Sequence, residues 1–169
     1  GESYPLGELL KTVIVASAND SAVALAEYLA GAEEAFVKLM NARAEELGLT
    51  NTHYVNCTGL PAQDHYTTAR DVAKLSAQLD LHPLYYRYST IWMDEIKHRG
   101  GRVTSLTNTN RLIRFYPGCD GYKTGSTNEA RYCVSATAKK DGMRLIAVVL
   151  GTPAGQTRFD EARAMLEYG

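Results

Sequence analysis

No stretch of this chain is apolar for long enough to cross a bilayer. The longest runs, such as Leu145 to Leu150, fall far short of the ~20 residues a spanning helix needs. Cysteine is scarce: Cys57, Cys119 and Cys133 are the three among 169 residues, and an odd number leaves at least one thiol free or intermolecular. No Cys-x-x-Cys, no Cys/His cluster and no His-Glu-x-x-His occurs, so no metal site is indicated. The four histidines, His53, His65, His82 and His98, are scattered and read as surface or packing residues. Excess charge is also missing. The formal net charge is −1 with Lys and Arg spread along the chain, which argues against nucleic acid as a partner. There is no internal repeat and no low-complexity tract. The first residue is Gly1 rather than Met, which reads as a cut or processed start, so the lack of a leader says nothing about compartment.

What is present is the composition of one folded domain, 45% hydrophobic and 22% charged. The first half has helical periodicity. Leu6, Leu9, Leu10, Val13 and Ile14 recur at helical spacing. Ser17 to Ser21 interrupts them with residues that favour caps over helix interiors. Val23 to Leu29 resumes the pattern and ends at Gly31. A third helix is expected over Ala32 to Leu47, with Phe36, Leu39 and Met40 inward and Gly48 closing it. After an irregular stretch from Thr50 to His65, a further helix is expected from Thr68 to Leu79.

The second half changes period. Ser89 to Trp92 and Lys97 to Thr104 read as short strands around Gly100-Gly101. Asn108, Asn110 and Pro117-Gly118 mark a loop. Three strand-like runs follow, near Gly121–Gly125, Ala130–Ala138 and Met143–Gly151, and then a helix from about Gln156 to Glu167. Their short links imply antiparallel neighbours, because a parallel return needs a crossover of about a dozen residues. Helices in one region and strands in another indicate an α+β domain, with a helical part over about 1–85 and a sheet part over about 86–169. Three strands make a small sheet, and an unpaired edge is a liability.

Two short motifs carry the candidate chemistry. Ser17-Ala18-Asn19 lies at a helix junction, and Lys123-Thr124-Gly125 lies on an expected strand. Each has a plain structural alternative. Ser17, Asn19 or Asp20 could cap the second helix, and Lys123 and Thr124 could be exposed strand residues. Taken together and in this order, they match two of the three motifs that couple in penicillin-recognising enzymes, Ser-x-x-Lys, Ser-x-Asn and Lys-Thr-Gly. The logic is that of an activated serine. Ser17 can relay a proton to a leaving group, and the Asn19 amide can hold a peptide carbonyl. Lys123 supplies positive charge, Thr124 a hydroxyl for a carboxylate, and side-chain-free Gly125 a strand edge along which a peptide can lie.

The chain resembles the D-alanyl-D-alanine carboxypeptidases of the low-molecular-mass penicillin-binding protein family, peptidase family S11. The likeness runs through LLKTVIVASANDSAVALAEYLAG, FVKLMNARAEELGLTNTHYVNCTGL, HYTTARDVAKL, CDGYKTGSTNEARYCVSATAKKDGMRLIAVVLG and RFDEARAMLEYG. It implies a β-lactamase/transpeptidase-like fold, an antiparallel sheet flanked by helices beside a helical subdomain. It implies serine acyl-enzyme removal of the terminal D-alanine from peptidoglycan stem peptides, β-lactams as substrate mimics, and no cofactor. It also implies an extracytoplasmic, cell-envelope location, with the full-length protein secreted and membrane-anchored. By position, Ser17, Asn19 and Lys123 take catalytic roles, and Thr124, Gly125 and Arg158 bind substrate. A solvated charge near a helix start is the alternative for Arg158.

Departures from the family pattern are specific. No serine is followed three residues later by lysine, so the nucleophile's motif is missing. The chain is expected to be a fragment whose N-terminal segment, with that motif and the first strands, lies upstream. Alone it is expected to be inactive and open to self-association through an exposed sheet edge. Arg131 stands where the family usually has glycine, and Ser126 where a larger side chain is common. A class A β-lactamase-like hydrolase and a non-catalytic peptidoglycan-binding homologue are the alternatives.

Overall fold

The computed structural model describes residues 1–169. Five helices open the chain: α1 (Leu6–Ala16), α2 (Asn19–Ala30), α3 (Glu33–Glu46), α4 (Ala69–Leu79) and α5 (Pro83–Ser89). A hairpin of β1 (Met93–Lys97) and β2 (Val103–Thr107) follows, then the short α6 (Leu112–Phe115). Three long strands, β3 (Cys119–Thr127), β4 (Arg131–Lys140) and β5 (Met143–Thr152), lead into α7 (Gly155–Tyr168).

Local chemistry explains the boundaries. The Thr68 hydroxyl accepts from the Asp71 N–H at 3.2 Å, satisfying one of the orphan donors that open α4. Pro83 stands in the first turn of α5, where its fixed φ suits a helix start. At the β4–β5 turn Asp141 and Gly142 have φ of 51° and 82°, the double left-handed geometry that twists in step with a hairpin.

β3, β4 and β5 form an antiparallel sheet in that order. In its register Lys123 faces Ser135, Thr124 faces Val134 and Gly125 faces Cys133. Period-two alternation sorts the faces of β4. Val134, Ala136 and Ala138 join Ala147, Val149, Phe159, Ala162 and Leu166 in the main core. Ser135 and Thr137 are buried on the other face, where the Ser135 and Ser76 hydroxyls meet at 2.8 Å. So α7 covers one face of the sheet and α4 the other. The outer edges of β3 and β5 have no strand partner.

A smaller core of Val15, Ile96 and Leu106 joins α1 to the hairpin. Beside it Lys11, only 7% exposed, reaches Glu8 at 3.0 Å and Asp94 at 3.1 Å. A buried ammonium needs such partners.

Two expectations are corrected. Ser89 to Trp92 is no strand, and Lys97 to Thr104 is mostly the hairpin's turn: the strands are Met93–Lys97 and Val103–Thr107, with a short 3-10 turn at Arg99–Gly101 between them. Ser89 ends α5, and the Asn108 amide takes the carbonyls of Ser89 and Ile91 at 3.0 and 2.8 Å, so they serve no ladder. In α3 the inward residues are Val37 and Ala44. Leu39 is 57% exposed, because it faces an open cavity that it shares with Phe36, Met40, Leu49 and Leu75.

Candidate active site

The junction of α1 and α2 is built around Ser17. Ser17 closes α1 in the left-handed conformation, φ 60° and ψ 40°, and its N–H returns to α1. A non-glycine residue there carries a strain of about 1–2 kcal/mol. It does not cap α2, whose N-cap is Ala18 with no side-chain bond. The left-handed turn leaves the Ser17 hydroxyl exposed at the rim of a cavity of about 700 Å³. Asn19 opens α2 on the same rim.

β3 forms the facing wall. Lys123 donates from Nζ to Ser17 Oγ at 2.6 Å and to the Thr124 carbonyl at 2.9 Å. Burial first, and then the charge of Arg158, lower its pKa to about 8. An ammonium has donors only. Ser17 must therefore accept from it, and the hydrogen of Ser17 is left to point elsewhere. At Gly125 an added Cβ would meet nothing within 4 Å, so the strand edge there is open.

Arg158 comes from α7. Its Nη1 donates to the carbonyls of Gly125 and Cys133 at 3.0 and 3.1 Å. The guanidinium stands 4.7 Å from the Phe159 ring centroid and 5.5 Å from that of Tyr132. This is a fixed cation beside the strand edge, unlike a freely solvated charge. Its Nε is buried without a partner.

All six sequence-predicted site residues, Ser17, Asn19, Lys123, Thr124, Gly125 and Arg158, line this one cavity. Its lining is partly apolar, with Val13, Ala22, Met40 and Leu75.

Two parts of the site escaped the sequence reading. Asn56 organises one rim: its Oδ1 accepts from the N–H groups of Thr58 and Gly59 at 3.2 and 2.8 Å, and its amide reaches the Leu60 carbonyl at 2.9 Å. The turn it makes puts Gly59 at φ 81°, so Asn-x-x-Gly was the available signal. The other is Thr109, which accepts from Thr124 Oγ1 at 2.7 Å. Cys57 also faces the cavity. All three cysteines are free, and burial with nearby Glu33 pushes the Cys57 thiol up to about 11, which keeps it a poor nucleophile at neutral pH.

The sequence and the fold have known counterparts. A family model described as D-alanyl-D-alanine carboxypeptidase matches residues 1–154. The D-alanyl-D-alanine carboxypeptidase DacF of Bacillus subtilis is 44% identical over 168 residues, which are 99% of this chain and 43% of that protein. The chain thus spans less than half the length of this curated relative. Among solved structures, a mutant of the Streptomyces K15 DD-transpeptidase matches with a TM-score of 0.94 at 28% identity, over 99% of this chain and 69% of that one. Penicillin-binding protein D2 of Listeria monocytogenes, in a cefotaxime-bound form, matches with a TM-score of 0.85 at 32% identity, over 97% of this chain and 66% of that one. The α+β architecture is therefore that of the penicillin-binding, transpeptidase-like fold.

Proposed function

The chain belongs to the D-alanyl-D-alanine carboxypeptidase family, and on that footing we propose that it forms the relay and substrate-holding side of such an enzyme's active site. The reaction is removal of the terminal D-alanine from a peptidoglycan stem peptide. A serine oxygen attacks the carbonyl between the two D-alanines and passes its proton to the lysine three residues after it as the new bond forms, and that proton replaces the one Ser17 gives up. Ser17 hands a proton to the departing amine. Asn19 holds a peptide carbonyl, while Lys123, Thr124 and Arg158 hold the terminal carboxylate. Water then releases the acyl group. β-Lactams enter as mimics of the same peptide, as the cefotaxime-bound relative suggests. The working place of such an enzyme is outside the cytoplasm, at the cell envelope.

The observation that carries this reading is the 2.6 Å bond from Lys123 to Ser17. It joins the two motifs across the cleft and frees the serine hydrogen for the leaving group. The reading also requires an acylated serine followed three residues later by lysine, from outside these 169 residues. The apolar lining of Val13, Ala22, Met40 and Leu75 suits the element that brings it, and the open outer edge of β5 suits a strand of the same segment or of a second copy.

Two measurements test the reading. Mass spectrometry of the 169-residue chain after incubation with ampicillin should show no adduct, and an adduct on any serine here defeats it. An NMR titration with an N-acyl-D-Ala-D-Ala peptide should move amide signals at Ser17, Asn19 and Lys123–Gly125. A response confined to other parts of the molecule removes the assignment.

A further inference from the structure

The segment Asn108-Thr109-Asn110 joins the two walls of the cleft. Both asparagines are buried, at 4% and 0% exposure. Asn108 Oδ1 accepts from the Asn110 N–H at 2.9 Å, and the Asn110 amide donates to the Gly121 carbonyl of β3 at 3.1 Å. Between them the Thr109 N–H donates to the Val15 carbonyl of α1 at 3.0 Å. The backbone of Thr109 is therefore fixed both to the helix that ends at Ser17 and to the strand that carries Lys123. Its side chain is held at the cavity wall, with Oγ1 2.7 Å from Thr124 Oγ1.

We propose that Thr109 is a positioning residue that sets the direction of the Thr124 hydroxyl and so makes the site selective for a peptide with a free C-terminal carboxylate. This rests on the proposed function, in which Thr124 meets that carboxylate. A hydroxyl has one hydrogen and two acceptor lone pairs. Without ligand, Thr124 gives its hydrogen to Thr109, and so offers lone pairs to the cleft. That is the wrong polarity for an anion. The hydrogen of Thr109 itself has no protein acceptor. When a carboxylate arrives, the pair reverses: Thr109 donates to Thr124, and Thr124 donates to the carboxylate. No proton changes owner; both O–H bonds rotate. Chains of this kind strengthen each member, and a bond to a charged acceptor is the strong one. A neutral C-terminal amide can donate from its NH₂ to the lone pairs of the unreversed Thr124, but that bond is not charge-assisted and draws nothing from the Thr109 hydrogen.

The test uses the 169-residue protein and two probes, an N-acyl-D-Ala-D-Ala peptide as free acid and as C-terminal amide, with binding followed by NMR or calorimetry. Thr109→Val keeps the shape and removes the hydroxyl. It should weaken the free acid about 5- to 10-fold and the amide by less than about 2-fold. Thr109→Ser should restore the free acid. Thr109→Ala, which leaves no methyl against Thr124, repeats the comparison if valine perturbs the fold. Equal weakening of both probes, or no weakening of the free acid in a folded variant, overturns the inference while leaving the proposed function standing. Failure of the unaltered protein to bind the free acid overturns both.

Discussion

Around Val134 and Phe159 the long strands and α7 enclose ten buried apolar side chains, whereas α3 buries only Val37 and Ala44 and α2 only Ser21 and Ala26. The sheet half finds its apolar contacts within these residues. The helical half turns Phe36, Leu39, Met40 and Leu75 toward a cavity of about 280 Å³, and Val13 and Ala22 toward the cleft between Ser17 and Lys123. Burial of apolar area is the dominant favourable term in folding, so the chain's stability is concentrated in the sheet. The cleft lies on the seam: one wall is strand β3, the other the junction of α1 and α2.

The largest effect should come from testing that contrast directly. Phe159, 4% exposed in the main core, becomes a cavity in Phe159→Ala and should cost about 3–5 kcal/mol in denaturant unfolding. Leu39→Ala, at a side chain already 57% exposed, should cost less than about 1 kcal/mol. Comparable losses at the two sites would break the comparison.

A smaller effect sharpens it. What holds the helical half is partly polar. Asp71, 1% exposed, accepts from the Asn51 N–H at 2.8 Å and the Thr52 hydroxyl at 3.0 Å. It thereby pins the irregular stretch after α3 to α4. Asp71→Ala strands those donors and should cost about 1–3 kcal/mol. Loss of protection in hydrogen exchange should be confined to residues near 48–56. A loss spread over β3–β5 would mean that the halves do not behave separately.

The same contrast explains what the sequence disclosed. The three long strands were legible because Ala130–Ala138 and Met143–Gly151 are apolar runs with links too short for anything but antiparallel return. α5 was not, because seven residues are too few to show a helical period, and Tyr85, Tyr86 and Tyr88 favour strands while Pro83 favours a helix start. In α3 the spacing correctly gave a helix and misplaced its buried face, since periodicity marks an apolar stripe without saying whether anything covers it. For the site, the two motifs singled out residues that line one cleft, but their contact spans 106 positions, and no local pattern encodes that. Thr109 was invisible for the same reason: a threonine in a loop acquires a role only when the fold sets it against Thr124.

A third effect reads the seam through pH. The pKa of Lys123 in the folded chain, about 8, lies below the ordinary lysine value of 10.5. Between those two values the unfolded chain still holds the proton that the folded chain has released, so stability rises with pH across that window. Cys57 and Cys119, both pushed up from 9.0 to about 11, act in the opposite sense above pH 9, so the useful quantity is a difference between proteins. Lys123→Met should lack the rise, and the gap in unfolding free energy between it and the unaltered protein should drift in the unaltered protein's favour from pH 7.5 to 9.5. A constant gap means that Lys123 is well solvated and the seam open. Binding of an N-acyl-D-Ala-D-Ala peptide should weaken over the same range as the ammonium loses its charge.

The smallest expected effect separates the two causes of that depressed pKa. Burial is the larger and the charge of Arg158 the lesser. Arg158→Gln removes the charge and leaves the walls of the cleft in place, so Lys123 should titrate higher by less than about one unit, followed by NMR at its side-chain nitrogen. Burial alone should hold it well under 10.5. Recovery of the full lysine value would make the arginine the main cause, and the helical wall would then contribute little desolvation at Lys123. No change at all would mean that solvent already screens the two cations from each other, which is incompatible with a seam closed enough to hold Lys123 against Ser17.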